Sequence, residues 1–372
     1  MADADAGEPL YYHDYLRLDQ LLSCQQPESN RRGEPAHDEL LFIIVHQAYE
    51  LWFKQILHEL DAVLAIFSSV VADRHMLRAV GHLHRVAEIE RLLLHQVDVL
   101  ETMTPLDFLD FRELLAPASG FQSVQFRLIE NRLGVDPASR PRIAGSVYTT
   151  RFTAEHRQLI ARTEREPSLF AEIEAWLERT PFLTLADYDF WREYRAAVER
   201  SLATDRQAIE GDPRLDADER ERRLATFDRS RAHLSAAFDA DVYAEHDPGY
   251  RPRLSHRAFG AALLINLYRD EPVVQLPFRL LATLMDVDEG LTNWRLRHAL
   301  MVRRMIGSRM GTGGTSGSDY LDDSAKHARV FTDLFNLSTF LLPRAEIPPL
   351  PADVERAMGF YVSSGRGPER AS

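Results

Sequence analysis

Residues 38–67, DELLFIIVHQAYELWFKQILHELDAVLAIF, decide the fold. Apolar residues recur there three and four positions apart, with Phe42, Tyr49, Phe53, Ile56, Leu60 and Val63 on one broad face. That is the spacing of an amphipathic α-helix and not the alternation of a strand. Asp38 stands where an N-cap is expected, since a short side-chain oxygen can accept from an N–H that the first turn leaves unpaired. A helix with so wide an apolar face must be deeply buried. The pattern repeats from about 73 to 102 with Leu77, Val80, Leu83, Val86, Ile89, Leu93, Val97 and Leu100. The two segments are expected to pack as an antiparallel pair.

Outward from this pair the helical spacing persists. Thr104-Pro-Leu-Asp107 can cap a helix that includes Phe108 and Arg112, with proline in the first turn and Asp three residues after the cap. After a break at Pro117-Ala-Ser-Gly120, helices are predicted over 121–133, 169–178 and 188–202. The stretch 205–231 is rich in charge and poor in large apolar groups, so it reads as an exposed hairpin or a mobile helical arm. Apolar spacing returns over 259–268, 277–285 and 291–306, and a Gly/Ser/Thr segment at 311–318 precedes a helix predicted over 325–340. From Pro343 the chain is expected to run as an extended strap and to fray over 364–372. No series of alternating strands, no internal repeat and no dividing linker is legible. The expectation is one all-α domain over 1–372, a helical bundle with a charged arm.

Composition narrows the function classes. Lys+Arg number 44 against 57 Asp+Glu, a net charge of −13, and such a field repels nucleic acid and anionic membrane surfaces. The one cysteine, Cys24, has no partner for a disulfide or a Cys-based zinc site, which fits a reducing, cytoplasmic compartment. The first residues, MADADAGE, lack the basic and apolar regions of an export signal. The longest run of large apolar residues, Leu40 to Val45, is far short of the roughly 20 that a bilayer demands. Neither a nucleic-acid partner nor a membrane is expected.

Among the fourteen histidines, His46 and His298 sit best on apolar faces. His46 shares a face with Phe42 and Tyr49, and His298 with Trp294, Met301 and Val302. An imidazole among such neighbours is costly unless it is paired or ligates a metal. Spacing alone leaves a satisfied core histidine open for each. No HExxH occurs, and Glu34-Pro-Ala-His37 is a Glu-x-x-His interrupted by proline, so helical zinc and di-iron schemes find no support. A haem held by one histidine leaves no local spacing signature. Gly311-Thr-Gly-Gly-Thr-Ser-Gly317 lacks the Gly-Lys-Ser/Thr ending of a phosphate loop; it is a linker, or a loop that brings backbone and the Thr312 hydroxyl close to a ligand. Phe108 and Arg112 lie four apart, an aromatic wall beside a guanidinium that could hold the carboxylate of an aromatic amino acid. The plainer reading is an ordinary ion pair of Arg112 with Asp107 or Glu113.

These segments closely resemble the tryptophan 2,3-dioxygenases. The likeness lies in YHDYLRLD (12–19), HDELLFIIVHQAYELWFKQ (37–55), LETMTPLDF (100–108) and DFRELLAPASGFQS (110–123). It continues in WRLRH (294–298), MGTGG (310–314) and DLFNLST (333–339), in family order across roughly 10–351. The resemblance implies an all-helical bundle enclosing haem b, with cleavage of the indole C2–C3 bond of L-tryptophan by O2 to give N-formyl-L-kynurenine. It implies His298 as the axial iron ligand beside Trp294, and His46 as the distal histidine near the indole N–H. Phe42 and Phe108 match pocket walls, Arg112 the carboxylate anchor, and Thr312 a contact to the substrate's amino-acid end. Tyr12, Tyr15 and Leu16, within a 1–36 segment, match residues that complete a neighbouring subunit's pocket in a homotetramer. Residues 315–320 and 205–231 depart from the family pattern. The competing expectations are a haem-binding scaffold without turnover and an oxygenase for another indole.

Overall fold

The structure, a computed structural model, describes residues 9–68, 73–137, 140, 152–185, 187–245, 251–307, 309 and 328–358. Three short helices, α1 (Tyr12–Leu16), α2 (Leu18–Leu22) and α3 (Glu28–Arg32), lead into α4 (Glu39–Phe67). Asp38 occupies the N-cap position of α4, but its side chain makes no capping bond. Its backbone is already near-helical, with φ −83° and ψ −6°, whereas capping side chains fold back from an extended residue. The neighbouring Glu39 caps instead, and caps another helix: buried, it accepts from the N–H groups of Glu28 at 2.7 Å and Ser29 at 2.9 Å at the start of α3.

α5 (Asp73–Leu100) runs antiparallel to α4, as expected. Tyr49, early in α4, donates to the Leu93 carbonyl late in α5 at 2.9 Å, while Glu59, late in α4, meets His82 and Arg85 early in α5. Leu60, Val63, Leu83 and Val86 are fully enclosed between them. Leu77 is a correction: it faces solvent, and Met76 and Ala79 take the inward positions. α6 (Pro105–Arg112) opens with the anticipated capping box, Thr104 and Asp107 each accepting from the other's backbone N–H. A 3-10 turn at Gly120–Gln122 precedes α7 (Val124–Leu133), so the helix predicted over 121–133 starts later, at the Ser123 cap.

α8 (Ala154–Thr163), unforeseen in the sequence, is followed by α9 (Leu169–Glu178), found where predicted. A two-strand hairpin, Thr184–Leu185 with Tyr188–Asp189, is the small departure from an all-helical chain. It ends at α10 (Phe190–Gly211), which Asp189 caps and which outruns the predicted 188–202. α11 (Ala217–Ala236) folds back on α10, so the charged stretch is a helical hairpin. The short α12 (Ala240–Glu245) follows, and then α13 (His256–Leu267), enclosed on nearly all sides.

α14 (Pro272–Ile306) is one continuous helix where two segments, 277–285 and 291–306, were predicted. The intervening Asp286-Val-Asp-Glu-Gly290 looks polar in the sequence, yet Val287 and Asp288 are buried. The Asp288 carboxylate is used, accepting from the N–H groups of Val330 at 2.9 Å and Phe331 at 3.2 Å. Residues 325–327 of the helix predicted over 325–340 lie outside the described residues; that same pairing explains why the described part becomes helical only at α15 (Thr332–Asn336), before a 3-10 turn at Leu337–Phe340. The amides of residues 330 and 331 donate to Asp288 instead of entering a helical ladder. The predicted strap from Pro343 also holds a helix, α16 (Ala352–Met358), which buries Val354 and Met358; its predicted frayed end, 364–372, lies outside the described residues. α5 packs between α4 and α14, and this three-helix layer is the heart of the core. Among the described residues no helix is long and apolar enough to cross a membrane.

Candidate functional site

The site forms where α4, α6 and α14 converge. Phe42 and His46 are one turn apart on α4, with ring centroids separated by 4.0 Å. Phe42 also meets Phe108 of α6 at 5.7 Å and Phe111 at 5.6 Å, and the two α6 rings meet edge to face at 5.4 Å. Phe108 and Phe111 stand three apart on one helix, so both can close on a ring from α4. Phe111 is fully buried. It escaped the sequence reading, although its spacing from Phe108 was a usable signal.

The His46 imidazole is half-buried and its Nδ1 lies 2.7 Å from the Phe42 carbonyl. A carbonyl oxygen can only accept, so Nδ1 carries the proton and Nε2 keeps its lone pair. Burial is the largest influence on this ring and pushes its pKa below the ordinary 6.5, against the opposing effects of the Phe42 bond and of Glu50. Neutral imidazole is thus the stable form.

His298 lies on α14. Its ring stacks on Trp294, one turn earlier, at 5.2 Å and 10°. Trp294 is wedged against Tyr49, Phe53 and Phe126 at 5.9, 6.1 and 5.3 Å. The Tyr49 hydroxyl that braces this cluster is tied to the Leu93 carbonyl, and burial pushes its pKa up to about 12. His298 Nδ1 and the Trp294 indole N–H are both enclosed without a hydrogen-bond partner among the described residues. Burial, with a smaller contribution from His46, pushes the His298 pKa down to about 4.

Arg112 is buried at the end of α6, and its Nη1 pairs with the exposed Glu113 carboxylate at 2.7 Å. The plainer reading of Arg112 is therefore realised, though on an enclosed guanidinium. Tyr12, Tyr15 and Leu16 are not brought to this pocket's walls by burial: α1 has no buried residue, and the two tyrosines are 74% and 69% exposed. Thr312 lies outside the described residues.

Behind the site, Arg295 of α14 is buried and donates to Glu130 of α7 at 3.0 Å and to the Ala328 carbonyl at 3.3 Å. Arg127 and Arg140 also surround Glu130, and these cations hold its carboxyl below the usual range despite complete burial. The sequence reading missed this network. A charge at a position of apolar period was its one visible mark.

A neutral imidazole with an unpaired nitrogen in an aromatic enclosure is what single-histidine haem ligation asks of a protein. Among the described residues no group of three or more His, Cys, Asp or Glu side chains could hold a metal ion.

The sequence matches the tryptophan 2,3-dioxygenase family over residues 2–341. It is 47% identical over 354 residues to the tryptophan 2,3-dioxygenase of Bdellovibrio bacteriovorus, covering 95% of this chain and 99% of that protein. Identity to the tryptophan 2,3-dioxygenase of Dictyostelium discoideum is 44%, over 96% of this chain and 90% of the relative. For that of Mus musculus it is 45%, over 92% and 84%.

Proposed function

The chain belongs to the tryptophan 2,3-dioxygenase family and is a dioxygenase of tryptophan, and from that premise we propose that it works through a haem held by His298 and an indole oriented by His46. The reaction opens the indole C2–C3 bond of L-tryptophan with O2 to give N-formyl-L-kynurenine, the first step of the kynurenine pathway.

The observation that carries the proposed site is the difference between two imidazoles, one set among Phe42, Phe108 and Phe111 and the other stacked on Trp294. His46 has its Nδ1 proton committed to Phe42, whereas His298 Nδ1 has no partner among the described residues. Haem b, bound through the neutral His298 imidazole, supplies the oxygen activation. Trp294, stacked on the His298 ring, holds that ring's plane. The bare Nε2 of His46 can accept the indole N–H of the substrate. Because that N–H is a very weak acid, acceptance positions the ring and does not remove the proton. Phe42, Phe108 and Phe111 supply flat apolar walls and keep water from the indole.

Arg112 anchors the substrate carboxylate by two parallel hydrogen bonds. One of its partners, Glu113, is exposed, and an exposed carboxylate holds an ion pair weakly. Thr312 contacts the amino-acid end. Tyr12, Tyr15 and Leu16, displayed on a helix with nothing buried, complete the pocket of a neighbouring subunit in a homotetramer. The single cysteine and the acidic charge fit a cytoplasmic enzyme, with 1–372 as one domain.

The test is to reduce haem-loaded protein anaerobically, add oxygen and L-tryptophan, and follow the near-ultraviolet absorbance of N-formylkynurenine. Product is expected from the wild type and none from His298→Ala. Haem binding with tryptophan left unchanged would overturn the proposed chemistry and leave a scaffold.

A further inference from the structure

Glu90 of α5 is 1% exposed, and neither carboxyl oxygen has a hydrogen-bond partner among the described residues. It lies against α14 at Gly290, where an added Cβ would come within 2.5 Å of Oε2 and 3.3 Å of the Glu90 Cβ. The missing side chain of Gly290 is therefore the notch into which this carboxyl fits.

The charges around it do not neutralise it. On α14, Asp288 acts on it as a like charge, and Arg295 acts on it as an opposing cation. Both terminal nitrogens of Arg295 are already engaged, one with Glu130 of α7 and one with the Ala328 carbonyl. On α5 itself, Arg91 is half-exposed and turned to Glu88. An ionised carboxylate without a hydrogen-bond partner in such a place carries a desolvation cost that Arg295 and Arg91 offset only in part, whereas the protonated acid does not. Burial and Asp288 act in the same direction, raising the Glu90 pKa well above the ordinary glutamate value.

We propose that Glu90 in the Gly290 notch is a buried protonation switch, and that loss of its proton weakens the hold of α5 on the helix that carries His298. Gly290 precedes His298 by eight residues, about 12 Å along the helix axis, so the switch sits beneath the proposed haem ligand without touching it. The sign follows from linkage. Unfolded glutamate ionises near its ordinary value, while the folded protein retains the proton to higher pH. Stability from this group is complete below the unfolded pKa and is lost as pH rises toward the folded one.

The experiment uses the haem-loaded protein and Glu90→Gln, which keeps the shape and cannot ionise. Thermal midpoints, followed by circular dichroism and by the haem Soret band, are compared between about pH 5 and pH 9. The wild type is expected to lose on the order of 2 °C relative to Glu90→Gln for each pH unit until Glu90 ionises. Curves that stay parallel would overturn the switch. Should Glu90→Gln fail to fold, the wild type decides alone by infrared spectroscopy. The carbonyl stretch of a protonated acid is expected at neutral pH and should vanish at higher pH in step with the falling midpoint. Absence of that band at neutral pH would overturn the proposal equally.

Discussion

The layer formed by α4, α5 and α14 and the hairpin formed by α10 and α11 use the same secondary structure for opposite purposes. In the layer, Leu60, Val63, Leu83 and Leu284 are fully enclosed, and buried polar groups such as Glu59 and Asp288 are hydrogen-bonded to other helices or to a distant backbone. In the distal part of the hairpin, polar groups pair along the surface, as Arg206 does with Glu210 and Asp228, and Arg222 and Arg223 with Glu219. A charge costs little where water screens it and decides the chemistry where water is excluded. Histidines show this most clearly, because burial keeps His46 and His298 neutral and so able to accept or to ligate.

The sharpest way to break this contrast is His298→Ala. Product formation should fall below detection and the haem's histidine-ligated spectrum should disappear, both read on the reduced protein with and without tryptophan. An unchanged spectrum would place the ligand elsewhere. In the core, Leu83→Ala removes a fully enclosed side chain between α4 and α5 and should cost about 2–5 kcal/mol, seen as a lower midpoint in denaturant. His46→Ala should retain haem and lower kcat/KM by roughly 10–100-fold, the worth of about one or two well-placed hydrogen bonds. The wild type should also lose activity on the acid side, at a pH below the ordinary histidine range, because the proton that removes the Nε2 acceptor binds only below a lowered pKa. Arg112→Lys should raise KM by about tenfold, since a point charge replaces a two-pronged donor. Least of all, Arg206→Ala in the hairpin should change stability by less than about 0.5 kcal/mol. A larger loss would mean that the hairpin is covered by another surface.

The parts of the fold that read correctly from sequence are those ruled by local physics. Two long apolar periods delimited α4 and α5, the Thr104–Asp107 box was seen in full, and the bounds of α9 were found. Errors arose where a distant group overrode a local preference. Residues 286–290 fell between the two segments predicted within α14, because the partners that bury Asp288 are the distant amides of Val330 and Phe331. The same bond stops residues 330 and 331 from becoming helical. Asp38 looked like a cap, yet the residue beside it caps a different helix.

The candidate site divides along the same line. Sequence alone singled out His46, His298, Phe42, Phe108 and Arg112 by residue type on apolar faces, and likeness to a family supplied their roles. It could not show that His46 Nδ1 is bound to Phe42, that His298 stacks on Trp294, or that Phe111 closes the aromatic wall. Helical period and capping chemistry act over three to four residues and so are written along the chain. Which buried imidazole stays unpaired, and which carboxyl finds only a glycine notch across from it, depends on groups far apart in sequence. That was settled by tertiary packing alone, because exclusion of water from a contact exists only once α4, α5 and α14 have come together.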